Sequence, residues 1–252
     1  MNKKIFLIIL SCITIACIIA GACINLRFAA PAFSSVRKSL SKVVKNRFNG
    51  SEAFDFDEDS EYEPETRTFT SSLQSFESLE IDANIMGVSV ERGNRFEISG
   101  NYSKEVLKPN FSISGGTLKV SQQKYRAKLV SNANCKIKIT VPYGTTLESA
   151  DINIDVGAVA LKGIDLEDIQ VNTDVGAIAV ENVEFRELIA HSDVGAVSVE
   201  LTQPVSEYNI DAKSDVGAIQ VNGSNAKRKY NQSGTTNKRV SVKTDVGGIE
   251  IK

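Results

Sequence analysis

Five aspartates recur in one local setting. Asp155, Asp174, Asp193, Asp215 and Asp245 each open the word Asp-Val-Gly, followed by alanine four times and by glycine at the last. Carboxylates at a repeated spacing suit two chemistries. Brought close together, they can ligate a hard divalent cation such as calcium through oxygen. Converging with a base, they can do acid–base work, as a polysaccharide-active β-helix enzyme would require. The second chemistry needs a partner that this chain does not supply. Its single histidine, His191, stands beside no cysteine or second histidine and reads as an ordinary strand residue. No nucleophile–base pair, phosphate loop or C-x-x-C spacing occurs. No catalytic or cofactor-binding residue is therefore assigned. The five aspartates stay as metal candidates, with calcium as the one cofactor considered, although the glycine-rich nonapeptide of the calcium-binding β-roll is absent.

The elements that carry these acids are legible from their flanks. Five and three residues before each aspartate, and one, four and six after it, every position is apolar; for Asp174 these are Ile169, Val171, Val175, Ile178 and Val180. Most residues between the flanking positions are polar, the alternation of strands with one buried face. The aspartates lie 19, 19, 22 and 30 residues apart. A period near twenty predicts a stacked repeat in which each unit buries its apolar face on its neighbours. The reading is an all-β solenoid with loop insertions, the largest being the polar and basic Gly223–Lys238. Within the word, Gly157, Gly176, Gly195, Gly217 and Gly247 are structural corners where a strand bends, read as using positive φ. Aspartate is read as accepting from nearby backbone N–H groups, and the preceding serine or threonine as a second local acceptor. The acids thus have a mechanical explanation as well as a chemical one, and the mechanical one accounts for the whole word.

Around this domain the composition shifts sharply. A short tail, residues 1–4, precedes Ile5–Leu26, which holds no charge. Twenty-two helical residues span about 33 Å, enough for the hydrocarbon core. Three readings stand: an uncleaved transmembrane signal anchor, which the length favours; secretion after cleavage at Ala22; or a lipoprotein lipidated at Cys23. Residues 27–50 form a basic juxtamembrane stretch with helical apolar spacing, fit to lie on anionic headgroups or to serve as a stalk. Residues 51–66 carry a run of acids without a base and read as a disordered linker. The β-solenoid is assigned to residues 67–252. Lys and Arg total 29 against 31 Asp and Glu, a net charge of -2, which argues against nucleic acid as an electrostatic partner. A hydrophobic N-terminal segment before a β-rich domain has the layout of an export signal. The expected location is therefore the cell membrane, single-pass, with the β domain outside the cytoplasm.

The stretches "KIKITVPYGTTLESADI" and "SLEIDANIMGVSVERG", with the repeated Asp-Val-Gly-Ala strands, resemble the bacterial "putative adhesin" family of β-strand-repeat domains, also described as toastrack-like. The resemblance covers about Ser75 to Lys252. It implies a right-handed β-helix-like domain, often behind a membrane helix in Gram-positive envelopes. Relatives are associated with envelope stress sensing and, by name, with adhesion; the family supplies no catalytic residues to carry over. Two functions follow as expectations. One is a noncatalytic membrane-anchored envelope protein whose solenoid binds another envelope protein, a peptide or a wall polymer. The other is a surface adhesin that self-associates through the edge of its C-terminal coil, because "VGGIEIK" ends on a strand without a capping segment.

Overall fold

Each Asp-Val-Gly word joins a long strand to a short one, and this pair is the repeating coil. A computed structural model describes residues 66–123 and 134–252. The chain opens with β1 (Arg67–Ser72), then β2 (Ser78–Ile85), β3 (Gly87–Gly93), β4 (Glu97–Tyr102), β5 (Asn110–Ser114), β6 (Thr117–Ser121) and β7 (Cys135–Pro142). The repeats follow as β8 (Thr146–Val156) with β9 (Val159–Lys162), β10 (Asp165–Val175) with β11 (Ile178–Glu181), and β12 (Glu187–Val194) with β13 (Val197–Glu200). Next come β14 (Asn209–Val216) with β15 (Ile219–Val221), β16 (Ser224–Ala226), β17 (Lys229–Gln232), and finally β18 (Arg239–Val246) with β19 (Ile249–Ile251). The long strands form a nine-stranded sheet and the short ones a ten-stranded sheet, with parallel pairing between coils. The fold is all-β and solenoid-like.

The inward residues of both sheets make one core. In the coil of Asp174, Ile169, Val171, Ile178 and Val180 are buried, and the other coils repeat this set. Burying each such side chain contributes about 1.5–3 kcal/mol, so the stack is held by its aliphatic columns. Opposite the word, Arg92 ties coils together. Its guanidinium donates to the carbonyls of Gly163 (2.8 Å), Pro142 (3.0 Å) and Thr145 (2.6 Å) and to the Asp165 carboxylate (2.5 Å).

The coils do not stack in chain order. Read along the sheets, the order is β6/β7, β2/β3, β8/β9, β10/β11, β12/β13, β18/β19, β14/β15. The first coil written and the last are both inserted between others. After β17 the chain returns through residues 233–238, where Asn209 donates to the carbonyls of Thr236 (2.7 Å) and Lys238 (3.1 Å) and accepts from Gly234 N–H (3.1 Å). β18 then pairs with both β12 and β14, and β19 with both β13 and β15. This corrects the expected open edge at the C-terminal coil: Ile249–Ile251 is an inner strand, and its backbone groups are matched on both sides. The outer coil at that end is instead covered by antiparallel β16 and β17 from the basic insertion. At the opposite end β1, β4 and β5 pair antiparallel, and Phe69 stacks on Phe111 at 6.0 Å.

Among the described residues no helix is long and apolar enough to cross a membrane. The expected span Ile5–Leu26, the basic stretch and most of the acidic linker lie outside the described residues.

Candidate functional site

At each word the paired register runs to the residue before the aspartate, passes over the aspartate, and resumes at the valine. The chain bends there. The upstream coil enters the same ladder as Asn84-Ile85-Met86-Gly87, a sixth and diverged copy of the word. The N–H groups of Met86, Gly157, Gly176, Gly195 and Gly247 each donate to the word's valine carbonyl one coil further along, at 2.9–3.0 Å. This ladder brings backbones so close that glycine is obligatory. A Cβ on Gly176 would lie 1.5 Å from the carbonyl oxygen of Gly157, and one on Gly195 1.6 Å from that of Gly176. A Cβ on Gly157, Gly247 or Gly217 would lie 1.7–1.8 Å from the carbonyl oxygen of Met86, Gly195 or Gly247 respectively. Met86 carries a side chain because the word ladder begins there. The φ angles of Gly157 (159°) and Gly247 (157°) are close to extended, so close approach, rather than a left-handed backbone, sets the residue type.

The residue before the aspartate points inward, not along the corner. Thr173, Ser192, Ser214 and Thr244 are all buried. Ser192 donates to the Gly176 carbonyl (3.0 Å), Ser214 to that of Gly247 (2.9 Å) and Thr244 to that of Gly195 (3.2 Å). The hydroxyls are therefore donors to the neighbouring coil rather than local acceptors. Thr173 Oγ1 is the exception, buried with no partner.

The aspartates lie on the outside in one column, about 4.8 Å apart along the stack. Like charges at that spacing repel by about 1 kcal/mol in water. Three of them face a cation or imidazole two residues back on the same strand. Lys213 meets Asp215 (3.0 Å), Lys243 meets Asp245 (2.8 Å), and His191 lies 3.3 Å from Asp193 and 3.8 Å from Asp245. The hydrogen bond from Lys243 holds the Asp245 carboxyl below its ordinary value, and in turn raises the Lys243 ammonium. At Asp155 and Asp174 the equivalent positions are Asn153 and Asn172, whose amides join at 2.8 Å. His191, Asp193 and Asp245 offer ligand atoms within 4.8 Å of one another. Lys243 Nζ, 3.5 Å from His191 Nε2, already supplies a positive charge to that group. Cys135 is buried, and burial pushes its thiol up to about 11, so it stays protonated at neutral pH.

Two surface features were not anticipated. The word's valines are outside: Val156 and Val175 are 45% exposed and Val216 63%, forming an aliphatic ladder beside the acid column. The bend inserts one residue into the alternation, so the next inward position is four, not one, beyond the aspartate. The second feature is a groove of about 380 Å³ on the outer face of the ten-stranded sheet. Two rungs of paired residues cross it. One runs Ser99, Lys138, Ser89, Ala160; the other runs Asn101, Lys136, Gly87 and on to Ala158. The sequence signal for its floor was the small residue that always follows Gly in the word.

Parallel coils closed by antiparallel strands, with close-packed glycine corners, define a solenoid-like β-repeat domain. The chain belongs to the family described as Toastrack DUF4097, whose model matches residues 76–215, more than half of the 252 residues. Among solved structures, a "putative cell adhesion protein" from Clostridium sporogenes is 19% identical and covers 74% of this chain and 99% of its own, with a TM-score of 0.58. That likeness shows the fold. A "putative adhesin" from Bacteroides fragilis is 17% identical, covering 74% of this chain and 97% of its own, with a TM-score of 0.39. No curated protein matches the chain.

Proposed function

We propose that this is a noncatalytic cell-envelope protein, anchored in the membrane through Ile5–Leu26, whose solenoid stands outside the cytoplasm and presents a binding surface. The observation that supports this reading is the disposition of the recurrent acids. They are set one per coil along an outer edge, and three of them are met by Lys213, Lys243 or the imidazole of His191 on their own strands. Coil period, rather than convergence on a reacting atom, explains their positions. The broad outer faces of the two sheets are then the surfaces left for a partner, and a role in envelope stress sensing fits the family resemblance. The test is protease accessibility on intact cells, with lysed cells as control. Cleavage in residues 51–66 before lysis is expected; protection until lysis would overturn the outward topology.

The exposed valine ladder favours a second reading, a surface adhesin that self-associates. Light scattering over a wide range of protein concentration separates the two. A mass that stays constant supports the envelope-binding reading, and one that climbs with concentration supports the adhesin.

A further inference from the structure

The groove on the ten-stranded sheet has a polar rim over a flat floor. Its floor is glycine and alanine, so a ligand can approach the backbone closely. Ser89, Ser99, Asn101, Lys136 and Lys138 line the groove. Lys138 is matched by Glu91 at 2.9 Å. Lys136 is exposed and forms no ion pair among the described residues, so it is the cation on offer to a ligand. The Oδ1 atom of Asn101 is buried without a donor. An unmatched acceptor is unfavourable in the free protein, so a ligand O–H that reaches it after a small turn of the side chain gains an acceptor. Hydroxyls and a carboxamide on one rim suit a ligand rich in its own hydroxyls, and Lys136 adds a preference for an acid.

The volume sits at the low end of the roughly 300–1,000 Å³ of small-ligand sites. Beyond the groove the outward positions remain low: Ala177 and Ala179 on the next coil, then Ala196 and Ser198. No large side chain at these positions stops a chain that leaves the groove along the stack. We infer that this groove binds a segment of a linear, polyhydroxylated polyanion, with one acid of the polymer on Lys136 and its hydroxyls on Ser89, Ser99 and Asn101. This rests on the binding-surface reading above and names the ligand class for it. A uronic-acid glycan and a polyol-phosphate polymer share that chemistry, because lysine meets carboxylate or phosphate as a point charge.

The test is calorimetric titration of the full chain, in mild detergent, with four probes: tetragalacturonate, poly(glycerol phosphate), the neutral glycan maltotetraose, and poly-glutamate. Binding of one or both of the first two is expected, and which one binds identifies the source of the acid. Lys136→Glu should weaken that binding at least about tenfold, and Ala160→Leu, which fills the floor from the outer face without adding charge, should weaken it by as much. Circular dichroism melts should leave both variants as stable as the parent. Absence of binding to both polyanions, or binding unchanged in the two variants, would overturn the inference while leaving the outward topology to its own protease test. Poly-glutamate bound as tightly as the polyhydroxylated probes would overturn it too, because a bare cationic patch would then suffice.

Discussion

The hydroxyl before four of the five aspartates is a buried polar group, and its worth depends on whether it has found a carbonyl. Ser192 donates to the Gly176 carbonyl, and removing it strands an acceptor inside the stack. Ser192→Ala is expected to cost about 1–2 kcal/mol in urea unfolding. Thr173 occupies the equivalent place one coil earlier, with its Oγ1 buried and unmatched. Thr173→Val keeps the shape and removes the stranded group, so its midpoint should stay level or rise. Two urea midpoints that fell equally would contradict this account of the inward column. At this scale the residue types were legible in the sequence and their directions were not. A serine beside an aspartate reads as a corner acceptor until the neighbouring coil shows which carbonyl lacks a donor. The valines misled in the same way. One residue past the aspartate they continue an apolar series, but the bend shifts the phase and turns Val156, Val175 and Val216 outward.

At the scale of elements, the final coil is the informative one. β18 and β19 close the space between the coil of Asp193 and that of Asp215. Removing residues 239–252 therefore takes out an inner coil and leaves two facing edges unmatched. The truncated chain should lose more than about 10 °C in Tm and its single cooperative transition. A loss of a few degrees, as for a fraying terminus, would contradict the stacking order. That order was not legible in the sequence. Every coil carries nearly the same alternation, so nothing local says which of two neighbours a strand will choose. The spacing of 30 residues before Asp245 marked an insertion, and the insertion is what carries the chain past one coil and back. The groove was illegible for a related reason: its rim comes from three separated stretches that only parallel and antiparallel pairing with β7 brings side by side.

At the scale of the whole domain, most ion pairs among the described residues decorate the stack rather than hold it, the largely buried Arg92 with Asp165 being the exception. Lys238 bonds Glu184 and lies 5.6 Å from the Tyr208 ring centroid. Burial alone would raise the Glu184 carboxyl, but hydrogen bonds from Lys238 and Thr202 outweigh it and bring the value below its ordinary one. The hydrogen bond to Glu184 chiefly raises Lys238. A lowered carboxyl stabilises above its unfolded pKa of about 4.3 and loses that share as pH falls through the folded value. A raised lysine is fully stabilising below about 10.4 and loses its share as pH climbs through its folded value. Both groups are partly exposed, so the pair is worth less than about 1 kcal/mol. Glu184→Gln should flatten the stability profile below pH 4 by that small amount and leave the fold intact. A collapse of the variant at neutral pH would mean the pair carries more than its exposure allows.

The central claim is that the repeated word is a stacking corner whose glycine, not its acid, the fold requires. It is tested most directly by urea unfolding of Gly176→Ala beside Asp174→Asn. A Cβ at Gly176 meets a backbone oxygen at 1.5 Å, and the coils on either side must part, so a loss of at least about 3 kcal/mol is expected. Asp174 is exposed within a column of like charges, so its neutral variant should stay within about 0.5 kcal/mol of the parent, or gain slightly. The opposite ranking, a tolerated alanine and a damaging asparagine, would mean that the carboxylates themselves hold the coils together and that the corner account is wrong.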